Sequence, residues 1–286
     1  MKLRELRTHF IKQLEDAYPS EEIGSFFKLL ANEYLSLNRH EISLNLDAEV
    51  SEEKKEIFEN AIKRLNKYEP IQYVIGKTEF FSLPFKVNKF TLIPRPETEE
   101  LVQWILLDLN SKKNSSSTKI LDIGTGSGCI AISLAKNLPK ATVSAIDFKE
   151  ETLAIANQNS QLNEVTVTFI LKDILHAQTL HDTYDIIVSN PPYVRESEKI
   201  QMQSNVLEHE PASALYVSDN DPLVFYIKIA QIAKRQLNSN GILYFEINEY
   251  LSKEVVTMLK NEGFAKIEVR KDFFGKERMI KAQLNA

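Results

Sequence analysis

At 286 residues, with 43% hydrophobic and 26% charged side chains, the chain carries enough apolar material for one large domain or two smaller ones. Its formal net charge of −5 and pI near 5.7 argue against binding nucleic acid through a broad basic face. The single Cys129 excludes an intrachain disulfide and leaves too few thiols for a cysteine-based zinc site, so no metal is expected.

The start, Met1 to Phe10, is charged and lacks the apolar stretch of a signal peptide. No apolar run approaches the length of a membrane span, so a cytoplasmic protein without a membrane partner is expected. Residues 1–70 have helical periodicity. Ser20 before Glu21-Glu22 and Ser51 before Glu52-Glu53 read as N-caps with acidic first turns. Ile23, Phe26, Phe27 and Leu30 recur at helical spacing and form a candidate buried stripe. These residues predict a small helical bundle, either simply stabilised by its own core or serving also to recognise a partner.

Residues 71–90 read as an extended or hairpin linker, with Ile71 to Gly76 and Thr78 to Val87 as the segments that suggest it. Phe80, Phe81 and Phe85 are either hairpin core or a partner-facing patch. Thr91 to Glu100 is a proline-bounded turn feeding a helix through Trp104 and Leu107, and Glu97, Glu99 and Glu100 read as its solvated start. Lys112 to Thr118, with three consecutive serines, reads as a polar surface loop.

After Lys119 strands and helices alternate, which predicts an α/β fold over residues 91–286 with a doubly wound, mostly parallel sheet. A strand at Ile120 to Ile123 runs into Gly124-Thr125-Gly126-Ser127-Gly128, and a helix starts at Cys129. Three of the chain's 8 glycines fall within these five residues, where they permit a tight turn and close approach by a ligand. Asp122 either orients that loop or touches the ligand, and Cys129 reads as a small buried residue without a catalytic histidine. The strand Ala141 to Ile146 ends in Asp147, placed to accept hydrogen bonds from ribose hydroxyls. A third strand, Val165 to Ile170, ends near Asp173, placed to accept from an adenine amino group.

The buried strand Tyr184 to Ser189 stops at Asn190-Pro191-Pro192-Tyr193. Proline lacks an N–H and fixes its own φ, so the ladder ends and the backbone becomes rigid. The Asn190 side-chain oxygen and the Pro191 carbonyl can then point the same way and, with the Tyr193 ring, receive a planar –NH2 group. A nicotinamide cofactor would account for the adenosine contacts alone; S-adenosylmethionine accounts for both motifs. His209, between Glu208 and Glu210, reads as a surface residue rather than a base. Gly241 to Ile247 is a further buried strand, and 265–270 with 278–283 can close the sheet as a hairpin.

With these motifs the chain resembles the class I S-adenosylmethionine-dependent methyltransferases, and more narrowly the peptide chain release factor glutamine methyltransferases. The resemblance covers the helical N-terminal part, Gly76 to Phe85, Ile93-Pro-Arg-Pro-Glu-Thr-Glu99, Asp122 to Ala131, Ser189 to Val194, Glu210-Pro211 with Ala214-Leu215, and Gly275 to Arg278. Asn-Pro-Pro-Tyr alone is shared with amino-directed DNA and RNA methyltransferases; its combination with the Ile93 to Glu99 segment is far more specific. The resemblance implies a Rossmann-like domain preceded by a bundle that, with the connecting hairpin, helps hold a release factor. The target it implies is the glutamine of a Gly-Gly-Gln motif. Gly124, Thr125, Gly126, Ser127 and Gly128 would then cradle the methionine and ribose of the cofactor, with Asp147 on the ribose and Asp173 on the adenine edge. Asn190, beside the cofactor, and the Pro191 carbonyl would accept from the glutamine amide, flanked by Pro192 and with Tyr193 packing on its plane. Arg95 and Glu97 would border the substrate cleft. Two positions depart from the family pattern: Asp221, where glycine is more usual, and Ile174, where some relatives carry an aromatic ring.

Three rival functions are open at this level. An amino-directed nucleic-acid methyltransferase would share both motifs but needs a target-recognition region and a basic track, and neither is visible. Glutamine methylation of a ribosomal protein is chemically identical with another partner. A non-catalytic cofactor sensor has no need of an intact Asn190 to Tyr193 receptor.

Overall fold

A computed structural model describes residues 1–111 and 118–284, so the serine-rich stretch expected as a surface loop lies, apart from Thr118, outside the described residues. In chain order the elements are α1 (Leu3–Leu14), α2 (Ser20–Leu35), α3 (Arg39–Leu44), α4 (Glu52–Leu65), α5 (Ile71–Ile75), β1 (Lys77–Phe80), β2 (Leu83–Lys86), α6 (Pro96–Ser111), β3 (Lys119–Ile123), α7 (Cys129–Asn137), β4 (Thr142–Asp147), α8 (Glu150–Leu162), β5 (Thr168–Leu171), β6 (Tyr184–Ser189), β7 (Val194–Arg195), α9 (Ser204–His209), β8 (Tyr216–Val217), α10 (Val224–Gln236), β9 (Leu237–Glu246), α11 (Ser252–Asn261), β10 (Phe264–Lys271) and β11 (Glu277–Leu284). They group into two compact units, Met1–Gly76 with Gln203–His209, and Lys77–Met202 with Glu210–Ala286.

The first unit is helical. Leu3, Leu6, Phe10 and Leu14 recur every three or four residues, so one face of α1 is apolar and buries against Ile23, Phe27 and Leu30 of α2 and Phe58 and Leu65 of α4. Ser51 caps α4, its hydroxyl accepting from the Lys54 N–H. Ser20 does not cap α2: Pro19, extended at ψ 146°, holds the cap position and Ser20 is already helical. The largest difference from expectation is α5, which replaces the extended start of the linker. Gly76 closes it at φ +84°, and Arg64 donates to the carbonyls of Tyr73 and Val74 at 2.9 and 3.0 Å, satisfying groups a helix end leaves open. Ile71 and Val74, three apart, both enter the bundle core, which an alternating strand would not permit.

The second unit is built on a seven-stranded sheet in the order β10-β11-β9-β6-β3-β4-β5. Strands β9, β6, β3, β4 and β5 run parallel, while β11 is antiparallel to both its neighbours. Each central strand feeds both faces: Leu121, Ile123, Leu243 and Phe245 pack beneath α10 and α11, while Ile120, Val188, Ile242 and Tyr244 pack with α6 and α7. This double burial explains why the strands read as continuous apolar runs. The third strand starts later than its pattern suggests. Glu164 turns at φ +56°, and Val165 exchanges hydrogen bonds with Ser160, which keeps 165–167 against the end of α8. In the β1–β2 hairpin Phe80 and Phe85 are core residues, rings 6.0 Å apart, so neither faces a partner.

Candidate active site

The chain fills the sheet outward from β3 through β4 to β5, then returns to β6 on the other side of β3. The order therefore reverses between β3 and β6, and a crevice opens beyond the carboxyl ends of the strands at such a point. Strand register sets who meets there: Ile123 pairs with Ile146 and Ser189, Asp147 with Leu171, and Ser189 with Phe245. A cavity of about 290 Å³ lies at this edge, walled by Gly124, Gly126, Asp147, Asp173, Asn190, Pro191 and Pro192. Seven of the site residues expected from sequence thus share one cavity. Thr125, Ser127, Gly128 and Tyr193 do not line it.

Within the glycine loop the three glycines have separate tasks. Gly124 and Gly126 sit at φ +75° and +56°, and a Cβ added to either would meet nothing within 4 Å. Both leave open space on the cavity side for a ligand. Gly128 (φ +83°) serves packing instead, since a Cβ there would lie 2.8 Å from Ile132 Cδ1 and 3.3 Å from Ala156 Cβ. Thr125 turns inward and donates to Asp122 Oδ2 at 2.6 Å. Burial pushes the Asp122 carboxyl up to about 7, against the Thr125 hydrogen bond. Asp122 therefore orients the loop rather than touching the cavity. Ser127 is held through its carbonyl by Asn159 Nδ2, whose amide also binds Lys86 of β2. The Cys129 thiol is raised to about 12, by burial first and the neighbouring Asp122 second, and is inert.

Asp147 braces the loop while facing the cavity. Its Oδ2 accepts from the Gly126 N–H at 3.0 Å and its Oδ1 from the Phe148 N–H at 2.8 Å. Burial raises its carboxyl, and these N–H groups act the other way. Asp173 accepts from the Leu175 N–H and pairs with His176 at 2.7 Å. Burial works against its charge, but the His176 and Leu175 contacts outweigh it and hold the carboxyl below the usual range. Ile174 is apolar wall beside it, as are Phe90, Leu92 and Phe148, three residues that the sequence pattern did not single out. Two carboxylates among apolar walls and open glycines match a nucleoside with ribose hydroxyls and an amino edge.

At the Asn-Pro-Pro-Tyr end a polar network lies behind the cavity. Asn190 Nδ2 donates to Thr98 Oγ1 at 3.3 Å, Thr98 donates to Glu246 Oε2 at 2.6 Å, and Tyr193 Oη donates to Glu246 Oε1 at 2.9 Å. Glu246 is almost wholly buried; burial raises its carboxyl, while the Thr98 and Tyr193 hydrogen bonds and Arg278 oppose that shift. The Tyr193 hydroxyl, pushed well above its ordinary value by burial and by Glu246, stays protonated.

The Ile93 to Glu99 segment is fixed by residues remote in sequence. Glu210 is buried and accepts from the Ile93 N–H at 3.1 Å and from Arg95 Nη2 at 2.5 Å. Glu99 and Glu100 are not merely solvated: they accept from the backbone N–H of Phe81 at 2.7 Å and Phe273 at 3.1 Å, tying down two hairpin turns. His209 belongs to the helical unit, its Nε2 donating to the Lys67 carbonyl, and is no part of the cavity.

A family model described as Methyltransferase small domain matches residues 103–216, and one described as PrmC N-terminal domain matches residues 5–76. The chain is 50% identical over 284 residues to the release factor glutamine methyltransferase of Flavobacterium psychrophilum, covering 98% of this chain and 99% of that one. It is 46% identical over 277 residues to the release factor glutamine methyltransferase of Bacteroides thetaiotaomicron, covering 96% and 98%. Among solved structures, a methyltransferase from Pyrococcus furiosus aligns with a TM-score of 0.50 at 19% identity, over 71% of this chain and 89% of that one. An rRNA methyltransferase of T. thermophilus, in complex with AdoMet and guanosine, aligns with a TM-score of 0.52 at 16% identity, over 73% and 50%. At these identities the two structures speak to the fold alone.

Proposed function

The chain belongs to the release factor glutamine methyltransferase family, and from that premise we propose that it methylates the side-chain amide nitrogen of the Gly-Gly-Gln glutamine in peptide chain release factors. The observation that carries this reading is the sharing of one cavity by Gly124, Gly126, Asp147 and Asp173 with Asn190 and Pro191. The first four fit S-adenosylmethionine, which when bound supplies an electrophilic methyl group. The last two supply what the substrate needs.

A carboxamide nitrogen is a poor nucleophile because its lone pair is delocalised into the carbonyl. Acceptors that bind its two N–H groups favour pyramidal nitrogen, localise the lone pair and stabilise the positive charge that develops on nitrogen. Asn190 Oδ1 and the Pro191 carbonyl take that role, and positioning supplies much of the remaining rate. No strong base is required, since the alkylated nitrogen is acidic and loses its proton to water. The neighbouring groups agree: Tyr193 is committed to Glu246 and Cys129 is inert.

Release-factor recognition is assigned to the helical unit, as the match of residues 5–76 to the PrmC N-terminal domain supports. Among the described residues no helix is long and apolar enough to cross a membrane, and a cytoplasmic location suits an enzyme acting on translation factors. No direct nucleic-acid contact is invoked. The test is intact-mass and peptide mass spectrometry of a release factor incubated with the protein and S-adenosylmethionine. A single methyl on the Gly-Gly-Gln glutamine is expected; methylation of ribosomal protein or nucleic acid in its place would overturn the partner.

A further inference from the structure

We propose that Thr98 and Glu246 are positioning residues that fix the Asn190 amide with its oxygen toward the substrate, so that Asn190 meets the glutamine nitrogen as an acceptor and never as a donor. The inference rests on the functional reading above for the identity of the substrate, but not for the orientation itself.

The two ends of an asparagine side chain are nearly identical in shape and opposite in hydrogen-bonding character. The rigid prolines after Asn190 fix where its side chain starts. They do not decide which end faces the cavity. Presented the wrong way, Asn190 would offer N–H groups to an amide N–H, and the transition state would lose an acceptor.

Proton direction through the buried network settles the choice. Both Glu246 oxygens face hydroxyl groups, Thr98 at 2.6 Å and Tyr193 at 2.9 Å; burial raises its carboxyl, and these two donors together with Arg278 act against that rise. With each of its oxygens accepting from one of these hydroxyls, Glu246 offers Thr98 no proton, so the single hydroxyl proton of Thr98 is committed to Glu246. Thr98 Oγ1 then offers only lone pairs, and Asn190 must approach it, at 3.3 Å, with Nδ2. Oδ1 is left at the cavity. Thr98 is 2% exposed and Glu246 1%, so water does not compete for these protons.

The fold holds Glu246 in this role from several sides. Strand register places it directly beyond Phe245, the partner of Ser189, and therefore beside Asn190. Its own carbonyl accepts from Tyr226 Oη of α10 at 3.2 Å. Thr98 comes from the first turn of α6, the segment that Glu210 clamps through Ile93 and Arg95.

The experiment compares the full-length protein with its Thr98→Val, Thr98→Ser and Glu246→Gln variants. Valine keeps the shape of threonine and deletes the hydroxyl, serine keeps the hydroxyl, and glutamine brings a donor that frees the Thr98 proton to turn Asn190 around. With release factor and S-adenosylmethionine, Thr98→Val and Glu246→Gln should lower kcat by about 30-fold or more, part of the roughly 10²–10³-fold that one preorganised transition-state contact supplies. Affinity for S-adenosylhomocysteine, by calorimetry, should stay near that of the unsubstituted protein, and Thr98→Ser should recover most of kcat. A Thr98→Val enzyme with nearly unchanged kcat, a serine variant as slow as the valine one, or a parallel loss of S-adenosylhomocysteine affinity would overturn the proposal.

The orientation is also readable without turnover. The Asn190 side-chain amide resonances, assigned by their loss in Asn190→Asp, should include a proton protected from solvent exchange that becomes unprotected in Thr98→Val. No protected proton in the unsubstituted protein would overturn the proposal. If that proton is present while the protein leaves release factors unmethylated, the functional reading fails and the orientation stands.

Discussion

Ser189 and Phe245 pair across the parallel strands β6 and β9, and this register makes Asn190 and Glu246 neighbours as both strands leave the sheet. On its other side Ser189 pairs with Ile123 and donates its hydroxyl to the Ile123 carbonyl at 2.6 Å. Asn190, the proposed substrate acceptor, thus stands between the glycine loop and a buried carboxylate, fixed by main-chain pairing rather than by a flexible loop.

On the proposed function, this placement separates the chemistry from cofactor binding. Asn190→Ala removes the proposed substrate acceptor at the cavity wall but leaves Gly124, Gly126, Asp147 and Asp173 untouched. Turnover should fall by about 10²–10³-fold, the scale of one lost transition-state contact. S-adenosylhomocysteine affinity should change little. Steady-state kinetics with a release factor, set beside calorimetry, decides this; equal losses in both would assign Asn190 to the cofactor.

The parts of the site legible in sequence are those whose meaning is local. Asn190 to Pro192 and the loop glycines Gly124 and Gly126 announce themselves by backbone chemistry, and Asp147 and Asp173 by standing at strand ends, whereas Thr125, Ser127, Gly128 and Tyr193, read from the same motifs, do not line the cavity. Thr98, Glu246 and Glu210 were not legible in their roles because each acts across a long chain separation: 92 residues from Thr98 to Asn190, 148 from Thr98 to Glu246, 115 from Arg95 to Glu210. Sequence pattern assigns strands but not their lateral register, and register is what makes those side chains meet. The helical α5 is hidden for a different reason: a five-residue run, apolar except for Gln72, has too few positions to separate a period of 2 from one of 3.6.

The Arg95–Glu210 pair offers a stability test. Glu210 is buried with Arg95 and the Ile93 N–H as its partners, so Arg95→Ala strands a buried carboxylate. Because Arg95 is itself one-third exposed, the cost should fall short of that for a fully buried pair, at about 1–3 kcal/mol. Arg95→Ala with Glu210→Gln should recover part of that loss. Urea denaturation of the single and double variants checks it, and strictly additive losses would show that the two side chains do not interact.

Gly126 and Gly128 should respond differently to alanine. At Gly128 the new methyl group meets Ile132 Cδ1 at 2.8 Å, at a backbone φ of +83°, so the fold pays, by about 1–3 kcal/mol. At Gly126 the methyl projects into open space, so beyond the strain of its positive φ the effect falls on the ligand. Gly126→Ala should therefore lose S-adenosylhomocysteine affinity out of proportion to its stability. Calorimetry and denaturation on both variants make the comparison, and the opposite ranking would reverse the two assignments.

Asp122 gives a pH signature. Its carboxyl ordinarily titrates near 3.8, and in the fold burial raises it to about 7, with Asp147 adding to the rise and the Thr125 hydroxyl opposing it. A group raised on folding favours the fold while it is protonated. That contribution is complete below about 3.8 and is lost as pH climbs through about 7, beyond which the buried carboxylate's desolvation weighs against the native state. Asp122→Asn keeps the shape and removes the titration. Whatever fixed offset the substitution carries, the variant's Tm relative to the unsubstituted protein should rise from pH 5.5 to pH 8.5, by roughly 2–4 °C for each kcal/mol involved. Cys129, the neighbouring thiol, is raised to about 12 and stays neutral throughout, so it cannot imitate the effect. Scanning calorimetry of both proteins across that range is the check, and Tm curves that run parallel would place the Asp122 carboxyl outside this pH window.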